Sequence, residues 1–586
     1  MIVPLILTLT VLLVPGSIII FQKKFAEELS VLEKIPLAVA VSLTYWIVGF
    51  WWLSITPVSL TIFIAATLGL TLGASVYLWR GQYPASQRNK HALLHNAAIL
   101  LFIGALLTPQ LYLISQQITP GGKDMSMHTY IAALIANTDG FPRTFIPILP
   151  VNDFGLYPFG FSTIIAAMTL FNTLPVYTNA LILSGVAHFL FDFSLYVILR
   201  SRFPFFISAV TSVIVAWTST NPHLFIAWGA NPSVLSLTLL FFAVAIFLHN
   251  KGKYPLLIAL VVYASLLTNY MFVITAIYLC IPLTLLIFPA GRRIQTLIAP
   301  YARSIIIATM TVFPFIIKIL RSGWKLPDAT RQYIQTLHWE ETSAWTGTFS
   351  WKGLTEISGI ISALTDTQLL LLFTAAGILL FRSHRKLIFF FLYITGIVYF
   401  FTINARHWWL PLSSILYPYR TSLILLIPIA WSVALLLYET RKYSRALYLT
   451  SIALMLLVFI PRLHVTQFLA EAKNNEGVSI TSMKALSWLA AHTNVHDVIW
   501  NRYDDAGLWI PAVIFRPITL YHTNPVDMAR LRAARHRYPS YAFRNEAPTP
   551  GVTIQEDVAV SIPEAISWKF DVVYDDGVSV IYKITR

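Results

Sequence analysis

Charge is what this chain has least of. Only 11% of its 586 residues are Asp, Glu, Lys or Arg, while 57% are hydrophobic; an ordinary soluble domain is about a quarter charged, so that class is excluded. Cysteine is nearly absent. The single Cys280 lies in an apolar run, so no disulfide can form within the chain and its polar loops must hold by packing. No P-loop, G-x-S-x-G, H-E-x-x-H or C-x-x-C pattern occurs in a fitting context, and the short basic loops leave no room for a nucleotide-binding fold. Acids are scarce as well, 26 against 41 Lys and Arg, for a formal net charge of +15. Most of that excess falls in short loops between apolar runs. It therefore reads as the positive-inside signal of a membrane protein and not as a nucleic-acid surface.

What the chain has in abundance is apolar runs of bilayer length, which need about 20 residues each. They recur to about residue 461, and ordinary charge density returns from there to residue 586. Basic clusters at 22–24, 80–91, 200–202, 251–253, 292–293, 382–386 and 441–445 all fall on one side of the membrane if about 14 spans alternate around them. The expected spans are 2–21, 35–53, 57–79, 92–115, 177–199, 204–220, 232–249, 254–269, 271–290, 301–320, 364–381, 386–402, 420–438 and 445–461. The first lacks a basic n-region and a clear cleavage site and is read as a retained span. Counting 157–173 as a span would invert every later loop, so it is read as an in-plane or half-inserted helix on the outer face, within a large external loop, 116–176. The domains expected are 1–91 (three N-terminal spans), 92–461 (a transmembrane catalytic module) and 462–586 (a soluble extracytoplasmic α/β domain). In the last, Ser479 or Thr481 is a candidate N-cap for a helix to Ala491. Val498–Trp500 reads as a strand, Gly507–Ile514 as a short helix, and Asp575-Asp576-Gly577 as the turn of a hairpin.

The residues that could carry chemistry cluster on the proposed outer face. Asp124 follows a Gly-Gly pair in Pro120-Gly121-Gly122-Lys123-Asp124-Met125-Ser126-Met127-His128. Asp124 and His128 are four apart and share a face on a helix. That spacing fits a carboxylate base with a neighbouring histidine, two ligands of a divalent metal, or simply Asp124 as an N-cap. Asp139 and Asp153 lie in the same loop, Asp153 in a turn before Gly155. His188 and Asp192 are also four apart, inside a span, where ionisable groups ask for a function or a hydrogen-bonded structural pair. Arg406, His407, Tyr417 and Arg420 precede a late span on the side where arginine is disfavoured. A phosphate headgroup would explain them, as would interfacial anchoring. Trp228, in Trp228-Gly229, could stack on a sugar or lie in the aromatic belt.

These pieces together resemble the GT-C superfamily of multispanning glycosyltransferases that use polyprenyl-phosphate-linked sugars. The resemblance runs over roughly 92–440. Its parts are the early acid of the first loop (Asp124), the Tyr-Pro-x-Gly-Phe segment from Tyr157 to Phe161, the Trp228-Gly229 turn, and Tyr417-Pro418-Tyr419-Arg420 at the start of a late span. Some bacterial arabinofuranosyltransferase-like or uncharacterised branches look most similar. The resemblance implies an α-helical polytopic fold with a small α/β outer domain in the cell membrane. It implies sugar transfer with Asp124 as base, substrate contacts from His128, Asp153, Tyr157, Trp228, Arg406, His407, Tyr417 and Arg420, and a glycan, lipid or protein acceptor of the envelope. Transfer of a preassembled glycan is a variant of it. Three spans before the first-loop span depart from many members. No second acid matches the paired Asp-Glu of some branches, which counts against the divalent metal that the resemblance would allow. The rival classes are a lipid or oligosaccharide transporter and a non-catalytic glycan-binding scaffold.

Overall fold

Apolar helices follow the hydrophobic runs closely. The structure is a computed structural model; it describes residues 2–22, 29–79, 92–142, 158–218, 225, 229–250, 252–277, 302–322, 422–459, 477–502, 505–519, 538–545 and 552–586. The first helices are α1 (Ile2–Ile20), α2 (Val31–Leu53), α3 (Leu60–Trp79) and α4 (Ala92–Gln116), followed by α5 (Lys123–Thr138) and α6 (Gly160–Asn172). Next come α7 (Val176–Arg200), α8 (Phe205–Thr218), α9 (Asn231–Asn250) and α10 (Pro255–Thr268). Then follow α11 (Phe313–Ser322), α12 (Leu426–Tyr443) and α13 (Arg445–Phe459). Among the described residues, five helices are long and apolar enough to cross a bilayer: Val3–Ile20, Val31–Leu53, Asn96–Gln116, Val176–Arg200 and Asn231–Asn250. The chain is a mostly helical, multi-pass membrane protein. Expected spans 364–381 and 386–402 lie outside the described residues.

Burial sorts these helices. α7 and α9 are enclosed over most of their length. α1, α3 and α4 turn Leu5, Ile62, Leu70, Leu100 and Leu101 outward, which suits contact with lipid tails. The run expected as one span at 301–320 is broken between Ala302–Thr311 and α11. Pro314 is the physical reason, since it lacks an N–H and its ring crowds the carbonyl four residues back. The segment read as an in-plane or half-inserted helix forms α6, and it is enclosed by protein: Phe161 to Met168 are all buried. A helix that is apolar all round seeks burial. Its end is pinned by Asn172, whose Nδ2 donates to Thr8 Oγ1 (2.8 Å) and Asn179 Oδ1 (2.7 Å).

An ion pair closes the opposite end of the bundle. Arg200 Nε lies 2.8 Å from Glu33 Oε1, with Glu33 only 2% exposed, and Glu33 Oε2 accepts from the Ser30 N–H that opens α2 (2.8 Å). The intramembrane pair read as His188–Asp192 is not bonded to itself. His188 Nε2 reaches Asn231 Oδ1 at 3.1 Å, while Asp192 Oδ1 is buried without a hydrogen bond.

After residue 477 the chain builds an α/β unit. Its helices are α14 (Ile480–His492), α15 (Ile510–Ile514) and α16 (Ile554–Ser561). Ser479 caps α14, its side chain accepting from Ser482 N–H. The strands β1 (Ile499–Trp500), β2 (Tyr541–Asn545), β3 (Lys569–Asp575) and β4 (Ser579–Thr585) form one sheet in the order β1-β2-β4-β3. β1 and β2 are parallel and the other pairs antiparallel. The expected hairpin is β3–β4, turning at Gly577 with φ +82°. The expected helix 507–514 is a 3₁₀ turn, Ala506–Trp509, running into α15. Alternation along the strands divides the sheet's faces. Trp500, Ala542 and Ile584 pack under α16 with Val558 and Trp568, while Ile499, Phe543 and Ile581 join the main core with Leu486 and Leu489.

Candidate functional site

The Gly-Gly pair sets where α5 begins. Gly122 occupies the N-cap position with φ 85° and ψ 149°, a backbone state open to glycine and strained for other residues. Asp124 is therefore the second helical residue and not the N-cap itself. It lies in the first turn, where the partial positive charge of the unsatisfied N–H groups favours a carboxylate. Asp124 is half-buried. Partial burial of the neighbouring Lys123 holds its ammonium below the usual lysine range. One turn on, His128 is buried, its ring edge-on to Phe161 at 6.2 Å and its carbonyl accepting from Ser162 Oγ at 2.9 Å. The i,i+4 reading holds in that both residues lie on α5 one turn apart, with His128 locked against α6.

Two distant segments close on this helix start. The turn before α9 packs directly onto it: Gly229 has φ +79°, and a Cβ there would lie 3.0 Å from Met125 N, 3.1 Å from Gly121 O and 3.2 Å from Gly122 C. Only a residue without a side chain lets the two backbones approach this closely. The turn is fixed from within by Ala230 N–H donating to Phe225 O (2.8 Å) and from below by the His188–Asn231 contact. From the other direction comes the α/β unit. A Cβ at Gly477 would overlap both the Trp509 indole and Thr119 Oγ1, and Phe515 meets the Tyr130 ring on α5 at 6.0 Å. Tyr130, Trp509 and Ile510 are buried.

No family model matches the chain, and no curated protein matches it in sequence. Solved structures do resemble it. The oligosaccharyltransferase of Archaeoglobus fulgidus, in complex with zinc and sulfate, is similar at 14% identity and a TM-score of 0.46, over 75% of this chain and 68% of that one. Its apo form gives 13% identity and a TM-score of 0.44, over 76% and 69%. The same archaeal enzyme, AglB, in complex with an inhibitory peptide and a dolichol-phosphate, gives 13% and 0.42, over 76% and 69%. These values are too low to carry an activity or a residue's role from that enzyme to this chain.

Of the residues expected to act in catalysis or touch substrate, Asp124 and His128 are the two that fall among the described residues. Asp153, Tyr157, Trp228, Arg406, His407, Tyr417 and Arg420 lie outside them; the Trp228 turn is represented by Gly229. Asp139 has a structural task. It ends α5 in the left-handed region at φ 47°, and its Oδ1 accepts from Thr61 N–H (2.8 Å) and Thr61 Oγ1–H (2.7 Å). Its carbonyl also accepts from Leu60 N–H at 2.8 Å, so one residue terminates α5 and caps α3. Among the described residues no group of three or more His, Cys, Asp and Glu gathers as a metal site would.

Sequence reasoning missed Lys318. Its Nζ sits 4.9 Å from the Phe141 ring, 5.5 Å from Phe159 and 5.6 Å from Trp51, which places a cation against two aromatic residues of the first loop and one of α2. The only sequence signal was a lone lysine near the end of an apolar run, and that is also the signature of an ordinary interfacial anchor.

Proposed function

We propose that this chain is an integral-membrane glycosyltransferase. It moves a sugar from a polyprenyl-phosphate donor to an envelope acceptor on the outer face, with Asp124 as general base. One observation carries the reading. The half-buried acid sits on a helix start against which a glycine turn and the α/β unit both pack, so a carboxylate is held where three separate segments of chain meet. Catalytic groups need such rigid placement.

The chemistry asked of the site is modest. The acceptor hydroxyl attacks the anomeric carbon, and its proton passes to the Asp124 carboxylate as the new C–O bond forms. The bond from that carbon to the phosphate oxygen breaks, its electron pair leaving with the polyprenyl phosphate, and the anomeric centre inverts. A glycosidase needs a second carboxyl to protonate its leaving alkoxide. A phosphate leaves as a stable anion and needs a cation instead; Arg406 and Arg420 are proposed for that role. His128 is proposed to orient the carboxylate or contact substrate, with Asp153, Tyr157, Trp228, His407 and Tyr417 completing the substrate contacts.

A transporter is the second reading, and one observation favours it. Asp192 lies 3% exposed inside α7 with an oxygen that makes no hydrogen bond, and buried intramembrane acids often mark a pathway. One acid does not make a relay, so the enzyme reading stands ahead. The deciding experiment is Asp124→Asn, assayed in membranes with supplied lipid-linked sugar. Transfer should fall by about 10²–10⁴-fold with folding intact. Full activity in that variant removes the assignment.

A further inference from the structure

We infer that the C-terminal α/β unit contains an oxyanion seat built on Arg544, made to take a phosphate or carboxylate group. Arg544 lies on β2, opposite Val580 of β4, and is only 2% exposed. Neither its Nε nor its Nη2 makes a hydrogen bond. The nearest acid is Asp557 on α16, whose Oδ2 is 3.7 Å from Arg544 Nε, beyond bonding range. That same oxygen lies 3.1 Å from Arg502 Nε, yet it too makes no directed hydrogen bond. Two guanidinium groups thus share one carboxylate, and the deeper of the two is left with N–H groups unanswered.

A buried guanidinium is expensive unless its donors are met, and native structures rarely leave such groups orphaned without an ion, water or ligand to account for them. Unmet N–H donors on a buried cation call for an acceptor, and one that carries negative charge answers both the donors and the charge. The planar guanidinium fork matches the paired oxygens of a carboxylate or phosphate. Arg502, 31% exposed, gives the seat its open side. The sheet holds the buried arginine rigidly from behind, and Trp500 Nε1 bonding to Ser561 Oγ (2.9 Å) fixes the far end of α16. Asp557 then acts as the seat's resident competitor: it keeps the arginines in place when the seat is empty and weakens any anion that enters.

The test uses the full-length chain in detergent and isothermal titration with inorganic phosphate and, separately, with acetate. Binding of either anion is expected, and the tighter one identifies the group the seat takes. Arg544→Gln should weaken it about 10-fold or more. Asp557→Asn should tighten it severalfold, an outcome that a plain structural ion pair does not produce. Arg502→Gln, on the open side, should weaken binding while leaving Tm near the wild-type value, which keeps the inference testable if Arg544→Gln fails to fold. No binding of either anion, or binding that Asp557→Asn leaves equal or weaker, overturns the inference. None of these measurements involves sugar transfer, so they fail or succeed independently of Asp124.

Discussion

Substituting Gly229 by alanine tests whether the glycine turn truly positions the acid. Two effects act at that residue. The backbone is left-handed at φ +79°, and a Cβ there costs about 1–2 kcal/mol. The added carbon would also stand 3.0 Å from Met125 N and 3.1 Å from Gly121 O, so these backbone atoms must yield by a few tenths of an ångström. Because they belong to the start of α5, the movement is handed to Asp124. A 1 Å misplacement can cost about 10²-fold in rate, so a shift of this size should slow transfer by a few-fold to roughly tenfold, mainly in kcat. Gly577 supplies the control. It has nearly the same φ, +82°, but a Cβ there meets nothing within 4 Å. Gly577→Ala should therefore show the conformational cost alone: a lower Tm with unchanged kcat. The assay is transfer kinetics on membranes, paired with thermal unfolding of both variants in detergent. If Gly229→Ala lowers Tm but leaves kcat at the wild-type value, the turn supports the fold and does not position the acid.

Three further outcomes follow from the polar contacts. Asp139→Ala removes both bonds to Thr61 and should cost about 0.5–2 kcal/mol, with Asp139→Asn recovering most of it, read as thermal stability in detergent. Glu33→Ala leaves Arg200 without its 2.8 Å partner and should destabilise by about 3–5 kcal/mol, or less because Arg200 is partly exposed; a wild-type Tm would contradict it. The β3–β4 hairpin should be sensitive to alkali. Partial burial, then the bond to Asp576 at 2.8 Å and its charge, push the Tyr574 hydroxyl up to about 12. A tyrosine whose folded value is raised contributes stability that is whole below its unfolded value of about 10 and is lost as pH rises through the folded one. Tyrosinate absorbance and unfolding followed between those values should show the loss, and Tyr574→Phe should flatten it.

Much of the architecture is legible in the sequence because bilayer burial acts on every residue of a span. The run expected at 177–199 is Val176–Arg200, and that expected at 232–249 is Asn231–Asn250. Local turn chemistry is legible for a similar reason. Ser479 caps its helix, and Asp575-Asp576-Gly577 turns its hairpin, since each signal is contained in a few adjacent residues. What the sequence hides is contact between distant segments. Gly229 against Gly121, Asp139 capping a helix that begins at Leu60, and Arg544 facing Asp557 all join residues with no shared local pattern. Asp124 shows the limit in one residue. The grammar of Asp after Gly-Gly fits an N-cap, but the left-handed backbone at Gly122 takes that position and makes the acid the second residue of the helix.

The helices also fix two ends to the molecule, and this bears on where the sugar must come from. α2 carries Glu33, paired to Arg200, in its first turn, and 18 residues later presents Trp51 to Phe141 and Phe159 at 5.3 and 5.6 Å. At 1.5 Å per residue these ends are roughly 27 Å apart, close to the thickness of a bilayer core. The Arg200 end carries short basic turns. The other end holds the Gly-Gly loop, the Gly229 turn, the Asp139 cap and, through Gly477 and Thr119, the α/β unit. Under the topology proposed from the positive-inside rule the Arg200 end would face the cytoplasm, and the proposed site would then face away from the cell's nucleotide-linked sugars. On that proposal an activated sugar used there would have to arrive on a carrier held by the membrane. A lipid phosphate meets that need and is also a leaving group that one carboxylate and one cation can serve.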